Sequence, residues 1–139
     1  MIIIVCVDDN FGMMFNNRRQ SQDNILRERI LQYIDNKRLL MNSYSASQFN
    51  IGENEKLIIA DNFMDIAKEN DYCFVENIDI IQYVDKIEKI IMYHWNRTYP
   101  ADMYFKLILN QSTWKLETSV NFVGSSHEKI TEEVYKNEK

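Results

Sequence analysis

A chain of 139 residues, 45% apolar and 12% aromatic, has enough material for one hydrophobic core without staples. Its formal charge is −5, and its basic residues are scattered apart from Arg18-Arg19 and Lys37-Arg38. That excludes the concentrated basic face of an extended nucleic-acid binder and leaves room for a local anion pocket. No apolar run approaches the roughly 20 residues of a membrane span. Residues 2–7, "IIIVCV", are short and β-branched and read as a buried strand. Asp8 to Asp23, "DDNFGMMFNNRRQSQD", reads as a long polar loop. Residues 22–35 read as a helix, with Leu26, Ile30 and Ile34 at helical spacing and charges opposite. A second strand at 38–41, a short helix at 44–49 and a third strand at 56–61 follow. "NFMDIAKEN" is a short helix with Asn62 as its cap, residues 71–77 are a fourth strand, and "DIIQYVDK" is a further helix. Strands are expected at 89–95, in "DMYFKLI" and in "WKLETSVNFV". In "SSHEKITEEVYK", Ser125-x-x-Glu128 matches a capping box and favours a helix, while the same segment also reads as a frayed edge strand.

Strands and helices alternate first, and strands follow strands later. The order predicts a single α/β domain over residues 1–139, with about four helices and a mixed, mainly parallel sheet finished by antiparallel strands. Cys6 and Cys73 both lie in apolar runs and read as core thiols. No basic region precedes the first apolar run, so no signal peptide is expected, and a reducing cytoplasm is the expected compartment.

Several residues carry chemistry. Asp23 shares the buried face of the first helical turn, where a carboxylate either caps the helix or binds a cationic, amidine-like ring. Arg18 and Arg19, among Asn16, Asn17, Gln20 and Ser21, form either a solvated loop or an anion-binding one. Met13, Met14 and Phe15 either line a pocket or fold onto the core, with core packing favoured. Asp8 and Asp9 end a strand, where such residues usually start a turn and less often hold a divalent ion. His94 alternates with Tyr93 and Trp95, so it points to the opposite face with Met92. It is a candidate acid or base, or a hydrogen-bonded interior histidine. His127 follows Ser125 and Ser126, but no third orienting residue is visible for a nucleophile, and a cap explains the serines. Glu76 and Asn77 end a strand near where α/β sheets bind ligands. The chain has two histidines, and no spacing recommends a metal site.

The order of elements, with "DDNFGMMF", "KRLLMNSYSASQF", "GENEKLIIAD", "KIIMYHW", "YPADMYF" and "STWKLETS", resembles dihydrofolate reductase over residues 1 to about 122. The resemblance implies a mobile Gly12-Met13 loop, Asp23 as the acidic pterin-binding residue, and NADPH as cofactor. The chain departs from the family where the ligands are held. The Gly-Arg-x-Thr that grips the dinucleotide phosphates is replaced by Asn42-Ser43-Tyr44-Ser45, which keeps only the Ser45 hydroxyl. The Gly-Gly pair that admits the pyrophosphate is Glu76-Asn77, whose side chains would crowd it and whose charge would repel it. The Arg for the folate tail would fall near Gly52, with Glu53 following, and the Thr that partners the acid would fall near Tyr93. A second resemblance, carried by "FGMMFNNRRQSQD", "DYCFVEN" and "GSSHEKIT", is to a short Firmicutes family labelled ribonuclease Z. That activity needs a His-x-His-x-Asp-His metal cluster that this sequence lacks.

The expectation is a ligand-binding domain without the ordinary reductase activity. Its pocket would lie between Asp8, Asp9, Met13, Arg18, Arg19, Asp23, Ser45, Glu76 and Asn77, and its guest would be a small nucleotide or heterocyclic metabolite. The alternatives are a diverged NADPH-dependent reductase, a protein-interaction module, and a hydrolase or ribonuclease working through His94 or His127.

Overall fold

The computed structural model describes residues 1–49, 56–106, 109 and 112–138. The chain begins with strand β1 (Ile2–Val7), a hairpin of β2 (Gly12–Phe15) and β3 (Arg18–Arg19), and helix α1 (Asn24–Ile34). Next come β4 (Leu39–Met41), α2 (Ser43–Ala46), β5 (Leu57–Ile59), α3 (Phe63–Ile66) and β6 (Tyr72–Phe74). A 3-10 helix (Ile81–Lys86) leads to β7 (Lys89–His94), β8 (Met103–Tyr104), β9 (Trp114–Phe122) and β10 (Ile130–Asn137). Seven strands form the main sheet in the order β5-β4-β6-β1-β7-β10-β9. Its first five strands are parallel, and β10 runs antiparallel to both of its neighbours, β7 and β9. This is the mixed α/β sheet expected from the order of elements. The Gly52 and Glu53 positions lie outside the described residues.

β1 sits at the centre, with both edges paired, to β6 on one side and β7 on the other, and a core cluster packs on each of its faces. Ile3, Val5 and Val7 join one core cluster with Met13, Leu40, Phe63 and Met92. Ile2 and Ile4 join the other, with Leu26, Ile30 and Ile34 of α1 and Tyr93 and Trp95 after them. A strand buried on both faces must be apolar throughout, which is why "IIIVCV" shows no alternation. Leu26, Ile30 and Ile34 recur at helical spacing because only that stripe of α1 meets the sheet. Their burial contributes about 1.5–3 kcal/mol each.

Five expectations change. The stretch from Asp8 to Asp23 is not one long loop: β2 and β3 pair within it and join β8 in a second sheet of order β3-β2-β8. Asn16 and Asn17 both take positive φ (51° and 60°), the two-residue type I′ pattern whose twist matches a hairpin. β8 is the described part of "DMYFKLI", and it serves this small sheet rather than the main one. Within residues 79–86, Ile81–Lys86 form a 3-10 helix in place of an α-helix, and Asn62 stands before α3 without a side-chain capping bond. The C-terminal segment is neither helix nor edge. It is β10, inserted between β7 and β9.

Candidate functional site

The polar groups of interest gather beyond the carboxyl ends of β1, β6 and β7. Asp8, buried at the end of β1, accepts from the N–H groups of Asn10 (2.9 Å), Gly12 (2.8 Å) and Tyr99 (3.1 Å) and from Gln20 Nε2 (3.0 Å). Burial pushes its carboxyl up, and these four donors outweigh it and hold the pKa below the ordinary value. Asp8 therefore ties the hairpin to the segment after β7. Gly12 makes this possible, because an added Cβ would stand 2.6 Å from Gln20 Nε2 and 2.7 Å from Ala101 Cβ. Asp9 is exposed, and Thr98 Oγ1 donates to it (3.2 Å).

Arg19 crosses the crevice. Its Nε and an Nη donate to both oxygens of Glu76 (2.9 and 3.1 Å), which stands just past β6. The same Nη reaches the carbonyl of Tyr44 (3.2 Å), and the guanidinium lies over the Tyr44 ring at 4.4 Å. A forked pair of this kind is strong when water is kept off it, and here both side chains are mostly buried. Asn77 accepts from Asn42 Nδ2 (2.9 Å), so the ends of β4 and β6 are bridged as well. Ser45 is fully buried, and its Oγ has no partner among the described residues. These residues do not fit a dinucleotide pyrophosphate: an acid and the arginine locked to it occupy the crevice.

Asp23 caps α1, accepting from the N–H groups of Ile25 (2.9 Å) and Leu26 (3.1 Å). It also accepts from the N–H groups of Ser125 (3.0 Å) and Ser126 (2.9 Å), from Ser126 Oγ (3.1 Å), and from His127 Nδ1 (3.1 Å). Burial raises its pKa, but the Ser126 and Ser125 amides and His127 overcome that and hold the carboxyl far below the ordinary range. Asp23 is thus ionised and accepts only, which assigns a proton on His127 Nδ1 to this bond. His127 Nε2 then faces Ser21 Oγ (3.0 Å) and the Tyr99 hydroxyl (3.2 Å). Trp95 stacks on the imidazole at 4.5 Å. The serines expected to cap a C-terminal helix serve α1 instead: Ser125 Oγ accepts from the N–H of Asn24 (3.0 Å).

Gly124 lets the loop come this close. An added Cβ would lie 2.4 Å from Asp23 Oδ2 and 2.8 Å from Ile130 Cδ1. The carboxylate cannot retreat from its donors, so Gly124→Ala is expected to cost about 1–3 kcal/mol. A fall in the urea midpoint checks this, and an unchanged midpoint would mean that the loop moves freely off α1.

The structure brings Asp23 to His127 and not to His94. Tyr93 and Trp95 point to the α1 face, and His94 to the other, where it bonds Glu133 and meets the Phe11 ring edge-on at 6.2 Å. Met13 and Met14 are buried in the core cluster, whereas Phe15 is exposed. Tyr99, Trp95 and Gly124 are not marked as site residues by the sequence, and Ser21 is marked only as part of the polar loop around Arg18 and Arg19. They come from segments far apart, and no local pattern marks them.

Two spaces flank the network. A cavity of about 20 Å³, room for one water, is bounded by residues that include Cys6, Ser21, Asp23, Gln48 and Trp95. Next to it, a groove of about 520 Å³ is lined by Phe15, Asn16, Arg18, Arg19, Gln20, Tyr99 and Pro100. The Arg18 side chain makes no hydrogen bond or ion pair among the described residues. Among those residues there is also no group of three or more His, Cys, Asp or Glu able to hold a metal, and no helix long and apolar enough to cross a membrane.

No protein-family model and no curated protein matches this sequence. Among solved structures, the chain is similar to a dihydrofolate reductase from Enterococcus faecalis complexed with NADP(H) and RAB-propyl. The TM-score is 0.67 over 99% of this chain and 96% of that one, at 10% sequence identity. The scaffold is therefore dihydrofolate reductase-like, and the likeness is one of fold.

Proposed function

We propose that this chain is a small ligand-binding domain on a reductase-like scaffold, and that its guest is an anionic, ring-bearing metabolite of nucleotide size. The observation that carries this reading is Arg18. It lines a groove of about 520 Å³ with no carboxylate paired to it among the described residues, while its neighbour Arg19 is spent on Glu76. The volume falls in the range of small-molecule sites. Phe15, Tyr99 and Pro100 supply flat apolar surface, and Arg18 supplies a fork for phosphate or carboxylate. The groove adjoins the carboxyl ends of the parallel strands, the usual place for ligands in such sheets. Hydride transfer from NADPH is disfavoured because Glu76 and Arg19 fill the crevice where paired glycines would admit the pyrophosphate.

The test is a thermal-shift and fluorescence titration with nucleoside monophosphates, NADPH and folate. A mononucleotide is expected to stabilise the protein, and Arg18→Ala is expected to weaken it about tenfold or more, the worth of a charged hydrogen bond. Equal binding by the variant, or no response to any anion, would overturn the reading. Consumption of NADPH with a pterin would replace it with the reductase.

A further inference from the structure

The groups around His127 form a relay that the ligand-binding reading does not use. Ser21 Oγ, His127 Nε2, His127 Nδ1 and Asp23 Oδ2 follow one another at 3.0 and 3.1 Å across the ring. Asp23 is ionised and buried, and it fixes the tautomer that leaves Nε2 to accept a proton. Trp95 and the Tyr99 hydroxyl hold the ring in place. Ser21 is partly exposed and lines the small cavity. Gln48 lines the same cavity, and its buried Nε2 has no acceptor among the described residues. A nucleophile, a base, an acid orienting that base and an unspent donor beside them are the parts of an acyl-transfer site. The arrangement is recognised by geometry, since the residues come from segments more than a hundred positions apart.

We propose that Ser21 is a nucleophile toward small activated acyl esters, with His127 as its general base, Asp23 as the residue that positions His127, and Gln48 Nε2 as a donor to the oxyanion. Ser21 Oγ forms a bond to the acyl carbon as its proton passes to His127 Nε2. The carbon–oxygen bond to the leaving alcohol then breaks, and the alcohol oxygen takes that proton. Water attacks the acyl-serine by the same route, giving a carboxylic acid and restoring the Ser21 hydroxyl.

The test is covalent labelling of the full chain by a fluorophosphonate, read by intact mass and peptide mapping, with 4-nitrophenyl acetate as substrate. One adduct at Ser21 is expected. Ser21→Ala should abolish it with an unchanged melting temperature, and His127→Gln should slow it about a hundredfold or more. Ser21→Cys is a second test that does not depend on the His127 variant folding. Its thiol should react with iodoacetamide at pH 6, where an unassisted thiol is almost wholly protonated. Cys6 and Cys73 would not compete, because burial pushes the Cys6 thiol well up and the Cys73 thiol up to about 12. An adduct elsewhere, labelling that ignores the loss of His127, or a Ser21→Cys thiol inert at pH 6 would overturn the proposal.

Discussion

Asp23→Ala is expected to lose about 3–4 kcal/mol of folding free energy, read by urea unfolding at pH 7. The substitution removes the cap of α1, and it also takes the acceptor from the part-buried N–H groups of Ser125 and Ser126 and from the buried Nδ1–H of His127. Each buried donor left without an acceptor costs about 1–3 kcal/mol, partly relieved where water can enter. The pH dependence follows from the depressed carboxyl. A group whose pKa is lower folded than unfolded contributes stability that is complete above its unfolded value, near 3.8. That contribution is lost as pH falls toward the folded value. The parent protein should therefore lose stability steeply below about pH 4, and Asp23→Ala should show a shallower slope there. Some slope remains, because Asp8 and Asp71 are also held low. A loss under 1 kcal/mol, or parallel pH curves, would show that the 124–127 loop does not depend on this carboxylate.

Glu76→Ala is expected to cost about 3 kcal/mol, because it leaves Arg19, only 18% exposed and stacked on Tyr44, without its carboxylate. The cost should belong to the broken pair rather than to the acid itself. Replacing both partners with apolar residues, as in Arg19→Met with Glu76→Met, should recover most of it. A double-mutant cycle by urea unfolding measures the coupling. The same variant carries a functional consequence. Arg19 also lines the groove, so freeing it from Glu76 should strengthen anion binding there. If Glu76→Ala is as stable as the parent and binds anions no better, the pair is solvated and does not close the crevice.

The resemblance to reductases carried the fold further than it carried the site. Asp23 does stand at the first turn of the first helix, on the buried side, as its spacing from Leu26 and Ile30 requires. What it holds is a histidine 104 residues further on, together with the loop around it. The C-terminal segment read as either a helix or an edge strand for a related reason. Glu132 is an acid at a core-facing position of β10, which breaks the apolar alternation a strand would show. Arg29 Nε and the Tyr93 hydroxyl satisfy it, at 2.7 and 2.8 Å, from two other elements. The hairpin inside the polar stretch was more nearly legible, since Asn-Asn is a turn signal and "GMMF" is apolar enough to pair.

By itself the sequence determined the apolar run of β1, the buried stripe of α1, the order of strands and helices, and the side of β7 to which His94 points. These follow from periodicities of two and 3.6 residues, which are local and need no partner to be read. Only the tertiary structure decided that Arg19 is consumed by Glu76 while Arg18 is left to the groove, and that Ser21, His127 and Asp23 meet in line. Those outcomes depend on which distant side chains arrive at the carboxyl ends of β1 and β7 when the sheet closes. A buried charge settles on whatever donors that closure brings to it, and nothing in its own neighbourhood along the chain specifies them.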